Sequence, residues 1–525
     1  LKKFSHPLLA LASGVLLWAS WPVSPLTLLV FVAWIPLLWV ESKVRSRRKF
    51  FGLTYITMLI WNVAATWWIW NASAPGALGA FFANSFIMCL PWLGFKITKK
   101  WLGQSIGYTS LIVYWACFEY IHLHDWGLSW PWLTLGNVFA SHPQWIQWYE
   151  YTGTGGGTMW VMVVNVLLFL HIKNNFNRAT GKTYRHLMAG ILTLIVPVMI
   201  SILFYHDNNT PAGEKNIVVV QPNIDPYEKI STGSFEAQLQ KLVQTSEKEI
   251  DDSTALVVWP ETALYMEYGI DETKLKDNFF LAPMWGFLRR HPRITLLTGI
   301  ESYREFNEKV SATARAIGNG HFVDGYNGSV LLDSNGAISF YHKSMLVPGV
   351  ETLPWFLRFI DSWFEKFGGT TAGYAKQQDR TVLTDPTHYY QIAPAICYES
   401  IYGRFMSEYI KNGANIICII TNDGWWQDTP GYKQHMNYAR LRAIETRKWI
   451  ARSANTGISC FIDPYGTAVN PQPWNKTAAI KLDVPVNDTK SFYVKYGDLV
   501  SEGATGLSIL FIILTFIQWI KKKLR

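Results

Sequence analysis

The sequence predicts a chain in two parts: a membrane helical bundle of about eight transmembrane helices and an α/β domain. Three observations carry this. Apolar runs near 8–20, 25–40, 51–71, 78–95, 104–122, 158–172, 187–205 and 503–520 include several that approach the ~20 residues needed to cross a bilayer core. Residues 214–490 differ in character: β-branched runs alternate with polar, helix-patterned stretches, as in buried strands separated by helices. Charged residues make up only 16% of the chain, well below the roughly 25% of soluble domains. The 26 Trp suit lipid or its interface. The predicted division is a transmembrane bundle over 1–205, an α/β domain over 206–495, and a last membrane helix with a basic tail over 496–525.

Within the membrane part, the first two runs are short and separated by "WPVSP". They form a hairpin that either spans or dips in, returning the chain to its starting side. The first run is read as retained, because no small-residue cleavage site follows it. "ESKVRSRRKF", "KITKK", "KNNFNRATGKTYR" and the tail "KKKLR" are basic, whereas the loops around 72–78 and 121–157 hold no Lys or Arg. This alternation places both termini in the cytoplasm and residues 206–500 outside. The net charge of +9 is thus a topology signal, and nucleic acid is not an expected partner. "TGTGGGT" at 152–158 follows no strand and precedes no Lys, so it is not a phosphate loop; it is expected to be a flexible outside loop.

In the α/β part, strands are predicted at "NIVVVQPN", "ALVVWPE", "ITLLTGIE", "GSVLLDSNGAISFYHK", "YQIAPAICYE", "ANIICIITND" and "WIARSANTGISCFIDPYG". "DSNGA" marks a hairpin. Helices are predicted at "SFEAQLQKLVQTSEKEI" and "YKQHMNYARLRAIETRKW".

Five cysteines show no C-x-x-C spacing, so neither a zinc site nor a dithiol is indicated. Cys89 and Cys117 fall in membrane-like runs, and Cys418 and Cys460 inside strands, where a thiol packs as a small apolar group. Cys397 differs, ending the apolar run "APAICYES". Two further strand ends carry charge: Glu261 in "VVWPETALY", and Lys343 in "ISFYHKSMLVPGVETLPW" with Glu351 eight residues on. Open α/β sheets place their sites at such ends. A carboxylate can take a thiol's proton as the sulfur attacks a carbonyl, and a fixed ammonium can stabilise the resulting oxyanion. Cys, Glu and Lys together suit acyl transfer through a thioester.

"WPET", "FYHKSMLVP" and "APAICYES", in that order, followed by "TNDGWW" and "QHMNYARLRAIETRKWIARSANTGIS", resemble the nitrilase superfamily. With seven apolar segments before this domain and one after it, and with "SWPWLTLGN" in the first part, the chain is similar to the membrane-bound apolipoprotein N-acyltransferases. The resemblance implies a nitrilase-like α-β-β-α sandwich on eight spans. It implies Glu261 as general base, Lys343 as oxyanion-stabilising residue and Cys397 as acyl-accepting nucleophile. Glu351 matches a second glutamate near the base, Glu399 a further glutamate needed for activity, and Tyr398 an aromatic beside the nucleophile. After Lys343 the family often reads Val-Pro-Phe-Gly-Glu; here the glycine comes one place earlier, in "VPGVE".

The implied reaction is ping-pong. An acyl chain passes from a phospholipid, typically phosphatidylethanolamine, to the cysteine, and then to the α-amine of a diacylglyceryl-cysteine at a lipoprotein N-terminus. The implied setting is the bacterial inner membrane, with the catalytic domain periplasmic and the chain a monomer. No metal or other cofactor is expected. "TLPWFLRFIDSWFEKFGG" is read either as an apolar loop over the cleft, with Trp355, Phe356 and Phe364 touching lipid, or as a buried amphipathic helix. Two other readings share these motifs: a membrane-anchored amidase or nitrilase with water as acceptor, and an inactive lipoprotein-binding scaffold.

Overall fold

The computed structural model describes residues 5–176, 183–205, 213–227, 234–352 and 373–524. The chain divides into two compact units.

The first unit, residues 1–70, 74–205 and 496–525, is helical. Among the described residues, four of its helices are long and apolar enough to cross a membrane: Ala74–Leu102, Tyr149–Asn175, Tyr184–Phe204 and Leu499–Lys523. The other expected segments also form helices, but shorter or more polar ones. Ser5–Ala19 has 15 residues and Ile35–Lys43 has nine; at 1.5 Å per residue neither reaches across a ~30 Å hydrocarbon core. Arg47–Thr66 begins with three cations, and Gln104–His122 carries a buried Glu119.

Part of the tryptophan packs inside this unit, while Trp18, Trp67, Trp70 and Trp519 are exposed. Trp21, Trp34, Trp61, Trp92 and Trp115 are all buried within this unit. Trp34 meets Trp61, Trp92 and Trp115 at ring-centroid distances of 5.8, 5.2 and 5.0 Å, the tilted and edge-on range that aromatic pairs favour.

The glycine-rich stretch 152–158 is not a flexible loop. It lies inside the helix Tyr149–Phe176, with a break at Gly153 (φ 58°). Its glycines permit close approach: a Cβ on Gly155 would lie 2.3 Å from Ser501 Oγ, and one on Gly157 only 3.0 Å from the Gly136 Cα. Small residues at helix contacts let backbones approach in this way. The "SWPWLTLGN" segment packs here as buried 3₁₀ turns, Pro131–Leu133 and Leu135–Phe139. Glu119 accepts from Trp115 Nε1 (2.7 Å), from the Leu135 N–H (2.8 Å) and from the Thr158 hydroxyl, tying these turns to two helices.

The second unit, residues 71–73 and 206–495, is α/β. One sheet runs in the order Ala478–Asp483, Asn216–Gln221, Thr254–Val258, Thr295–Phe306, His321–Leu332, Arg315–Gly318. Ile338–His342 pairs with His321–Leu332 as the hairpin expected at "DSNGA". The other sheet is ordered Ala468–Val469, Cys460–Ile462, Ile450–Ala454, Ile416–Thr421, Gln391–Ile396, Leu383–Thr384. Each has a parallel centre: 216–221, 254–258 and 295–306 in the first, and 391–396, 416–421 and 450–454 in the second. Asn216–Gln221 and Ile416–Thr421 are buried along their whole length, as parallel strands covered on both faces must be.

Helices Phe235–Ser246 and Ala282–Arg290 cover the first sheet, with Leu239, Leu242, Phe287 and Leu288 in its core. Gly403–Lys411 and Pro430–Thr446 cover the second. The sheets meet between them, where the Ser453 hydroxyl donates to the Val220 carbonyl at 2.7 Å. The layering is therefore α-β-β-α. Parallel strands in both sheets end on one side, and this sets the location of the candidate site.

Candidate active site

Glu261 stands just past the strand Thr254–Val258. Its turn lies against the neighbouring strand because position 299 is glycine: a Cβ there would come within 2.6 Å of the Glu261 Cα. The buried carboxylate is fully engaged. Oε1 accepts from Lys343 Nζ (3.1 Å) and Asn327 Nδ2 (2.9 Å), and Oε2 accepts from the Asn422 N–H (3.1 Å).

Lys343 follows the last residue pair of the hairpin, Gly328↔His342, and its N–H donates to the Asn327 carbonyl at 2.9 Å. Its ammonium is buried and lies 2.8 Å from Glu351 Oε1 as well as 3.1 Å from Glu261. Burial alone would release its proton; the charges of Glu261 and Glu351 outweigh that and hold the ammonium well above its ordinary value. An ammonium has three N–H donors; among the described residues two of them serve the glutamates.

Glu351 also accepts from Asn327 Nδ2 (3.0 Å), and its Oε2 takes the Val347 N–H (2.8 Å). The Glu351 N–H returns to the Val347 carbonyl at 2.9 Å, and Gly349 sits at φ 77° between them. The shifted glycine in "VPGVE" thus supplies the left-handed residue this closed turn needs.

Cys397 ends the strand Gln391–Ile396 and opens the 3₁₀ turn Cys397–Ile401. It holds φ 51°, a left-handed conformation that costs a residue with a Cβ about 1–3 kcal/mol and recurs at functional turns. The residue is half-buried and its thiol is in no disulfide. Burial pushes the thiol well above its ordinary value; the negative charge of Glu261 adds to this and Lys343 opposes it. The resting group is therefore a thiol within electrostatic reach of both.

Glu399 is wholly buried and grips backbone. Oε1 accepts from the Tyr341 hydroxyl (2.7 Å) and from the N–H groups of Ser344 (2.6 Å) and Met345 (3.2 Å), while Oε2 accepts from the Ile396 N–H (2.8 Å). It thereby joins the residues following Lys343 to the one preceding Cys397. Burial raises its carboxyl to about 6, and the backbone donors limit the rise. Tyr398 is buried edge-on against Tyr402, with centroids 5.3 Å apart. Trp355, Phe356 and Phe364 lie outside the described residues. Among the described residues no cluster of His, Cys, Asp and Glu could hold a metal ion.

Several site residues carried no role in the sequence reading. Asn327 bridges the two glutamates, and the Asn422 backbone fixes the first. Behind Cys397 lies a buried group of Thr421, Asp423, His435 and Arg452. "TNDGWW" and "QHMNYARLRAIETRKWIARSANTGIS" contain all four, but nothing in their spacing shows that they converge.

A two-sheet α/β domain with this strand-end cluster is of the carbon–nitrogen hydrolase class: residues 216–493 match the carbon-nitrogen hydrolase family. Residues 13–167 match the apolipoprotein N-acyltransferase N-terminal domain. The chain is 30% identical to the apolipoprotein N-acyltransferase of Chlorobaculum tepidum, over 97% of this chain and 95% of that one. It is 28% identical to the Rickettsia typhi protein of that name, over 86% and 83%, and 25% identical to the Geobacter metallireducens one, over 94% and 92%. The chain belongs to the apolipoprotein N-acyltransferase family and is an acyltransferase with a nitrilase-type catalytic domain.

Proposed function

We propose that this protein N-acylates lipoproteins, moving an acyl chain from a phospholipid, with phosphatidylethanolamine as the typical donor, through a thioester on Cys397. The observation that carries this reading is the buried Glu261–Lys343–Glu351 cluster within reach of a cysteine at φ 51°, in a chain similar along its whole length to named N-acyltransferases. Glu261 removes the thiol proton as the sulfur attacks the ester carbonyl. The oxyanion forms beside the Lys343 ammonium. The glyceryl oxygen leaves as lysophospholipid, taking the proton back from Glu261. The α-amine of a diacylglyceryl-cysteine then attacks the thioester and its proton passes to Glu261. The sulfur departs and is reprotonated.

Both substrates are lipids, and drawing an acyl chain into water costs ~0.8 kcal/mol per CH₂, which favours a centre at the membrane surface. The proposal includes a bundle of about eight spans formed by 1–205 and 496–525, with both termini cytoplasmic. Residues 206–495 form the periplasmic domain of a monomer in the inner membrane. Intact mass measured with phosphatidylethanolamine tests the chemistry. One hydroxylamine-labile acyl chain is expected on the parent and none on Cys397→Ser, with lysophospholipid released. A folded parent that releases none would overturn the donor. Acyl transfer to water in place of a diacylated lipopeptide would identify a hydrolase.

A further inference from the structure

The buried group behind the nucleophile has a defined wiring. Asp423 is its hub. Oδ2 accepts from Arg452 Nη2 at 2.8 Å, and Oδ1 accepts from the Thr421 hydroxyl at 2.9 Å and faces His435 Nδ1 at 2.9 Å. A carboxylate only accepts, so Nδ1–H is the donor and the other ring nitrogen is directed away from Asp423. That nitrogen, Nε2, lies 3.0 Å from Ser400 Oγ and 3.2 Å from the Cys397 carbonyl oxygen. The Ser400 hydroxyl donates to the same carbonyl at 2.8 Å, so Nε2 faces two acceptors and holds that carbonyl as an N–H donor, the ring carrying a hydrogen on each nitrogen. On the other side, the Thr421 side chain stands beside the Cys397 sulfur and acts to lower the thiol against the effect of burial, while its own hydroxyl hydrogen goes to Asp423. Arg452 is itself fixed by the Ile458 carbonyl at 2.6 Å. His435, Asp423 and Arg452 are essentially inaccessible to solvent, so none of them meets substrate directly.

We propose that Asp423 is a positioning residue for the nucleophile, holding Cys397 at its sulfur through Thr421 and at its carbonyl through His435 and Ser400. This rests on the reading of Cys397 as the acyl-accepting residue. A cysteine at φ 51° has commoner conformations open to it, and either would swing the sulfur away from Glu261 and Lys343. Two anchors on one rigid carboxylate oppose this. The Thr421 branch does a second thing: when Glu261 takes the thiol proton, the hydroxyl can turn from Asp423 to donate to the thiolate. The charged groups facing the sulfur are then Glu261, Lys343 and Asp423.

The test uses the full-length protein in detergent and follows alkylation of Cys397 by iodoacetamide against pH. It also measures the rate and KM of lysophospholipid release from phosphatidylethanolamine. Thr421→Val keeps the shape and removes the hydroxyl; its alkylation midpoint should rise by about one pH unit or more, the worth of a hydrogen bond to a charged group. Thr421→Ser should restore the parent profile. His435→Gln and Asp423→Asn should slow release about tenfold or more with KM unchanged. Asp423→Asn disturbs a buried ion pair and endangers folding, so the Thr421 pair, which leaves Arg452–Asp423 intact, decides. A Thr421→Val profile superimposed on the parent's overturns the proposal. If instead the parent itself releases no lysophospholipid, the acyltransfer reading fails, while the alkylation profiles still report on the positioning.

Discussion

Glu261 and Glu351 share the same two donors. Lys343 Nζ lies 3.1 and 2.8 Å from their Oε1 atoms, and Asn327 Nδ2 lies 2.9 and 3.0 Å from the same atoms. The candidate base is thus held in a four-group lattice in which a neutral amide does as much bridging as the cation. These two bridges offset the repulsion between two carboxylates drawn to the same donors.

Asn327→Leu removes the amide at similar size and leaves Lys343 as the only bridge. Each hydrogen bond to a charged group is worth ~1.5–3 kcal/mol, so thioester formation should fall about 10- to 100-fold. Asn327→Asp, which puts a third carboxylate in the lattice, should fall further. Lysophospholipid release with thermal unfolding as the folding control checks both. A fully active Asn327→Leu protein would show that the amide is dispensable.

Much of this site was legible in the sequence because buried parallel strands are written as β-branched runs, and the residues that end them stand out. Glu261, Lys343 and Cys397 were found that way. Asn327 was not, because it lies inside the strand His321–Leu332 among neighbours of mixed polarity. His435 and Arg452 were not, because a polar residue in a helix or strand looks solvated until its partner is known. Their partner Asp423 sits 12 and 29 residues away. The glycines at 152–158 failed for the opposite reason. Locally glycine means a loop, and only the approach of Ser501 and Gly136 explains why it is needed there.

That close approach is itself testable. A side chain at Gly155 would enter the space of Ser501 and Asp498, the cap of the last helix, whose Oδ1 accepts the Ser501 N–H at 3.0 Å. Overpacking of this kind costs ~1–3 kcal/mol. Gly155→Val should therefore lower the unfolding temperature of the detergent-purified protein. Gly52→Val, at a glycine whose Cβ would meet nothing within 4 Å, should lower it less.

Glu399→Gln separates two effects. Glutamine has one acceptor oxygen for the four donors that Glu399 satisfies, and its amide must face an N–H, so thioester formation should fall sharply. The pH dependence moves oppositely. The folded carboxyl titrates at about 6, above its ordinary 4.5, chiefly from burial. Folding therefore favours its protonated form, a contribution complete below pH 4.5 and lost as pH rises through 6. It amounts to about 2 kcal/mol. The variant, neutral throughout, should lose less stability than the parent between pH 4.5 and 7 in denaturant titrations.

Glu261→Gln gives the sharpest outcome, because two readouts should diverge. After burial, the charge of Glu261 is the largest influence raising the Cys397 thiol, and Lys343 acts against it. Removing that charge leaves Lys343 acting on the sulfur without Glu261 against it, so the thiol should ionise at lower pH. Iodoacetamide, which needs only the thiolate, should alkylate Cys397 faster at pH 7 in the variant than in the parent. Acyl transfer from phosphatidylethanolamine should collapse by about 10²–10⁴, the usual worth of general-base catalysis, since nothing then carries the proton from sulfur to the leaving oxygen. Peptide mass spectrometry of the alkylated site and lysophospholipid release measure the two quantities on one sample. If both fell together, Glu261 would be holding the cysteine in place; faster alkylation with lost transfer assigns it the proton.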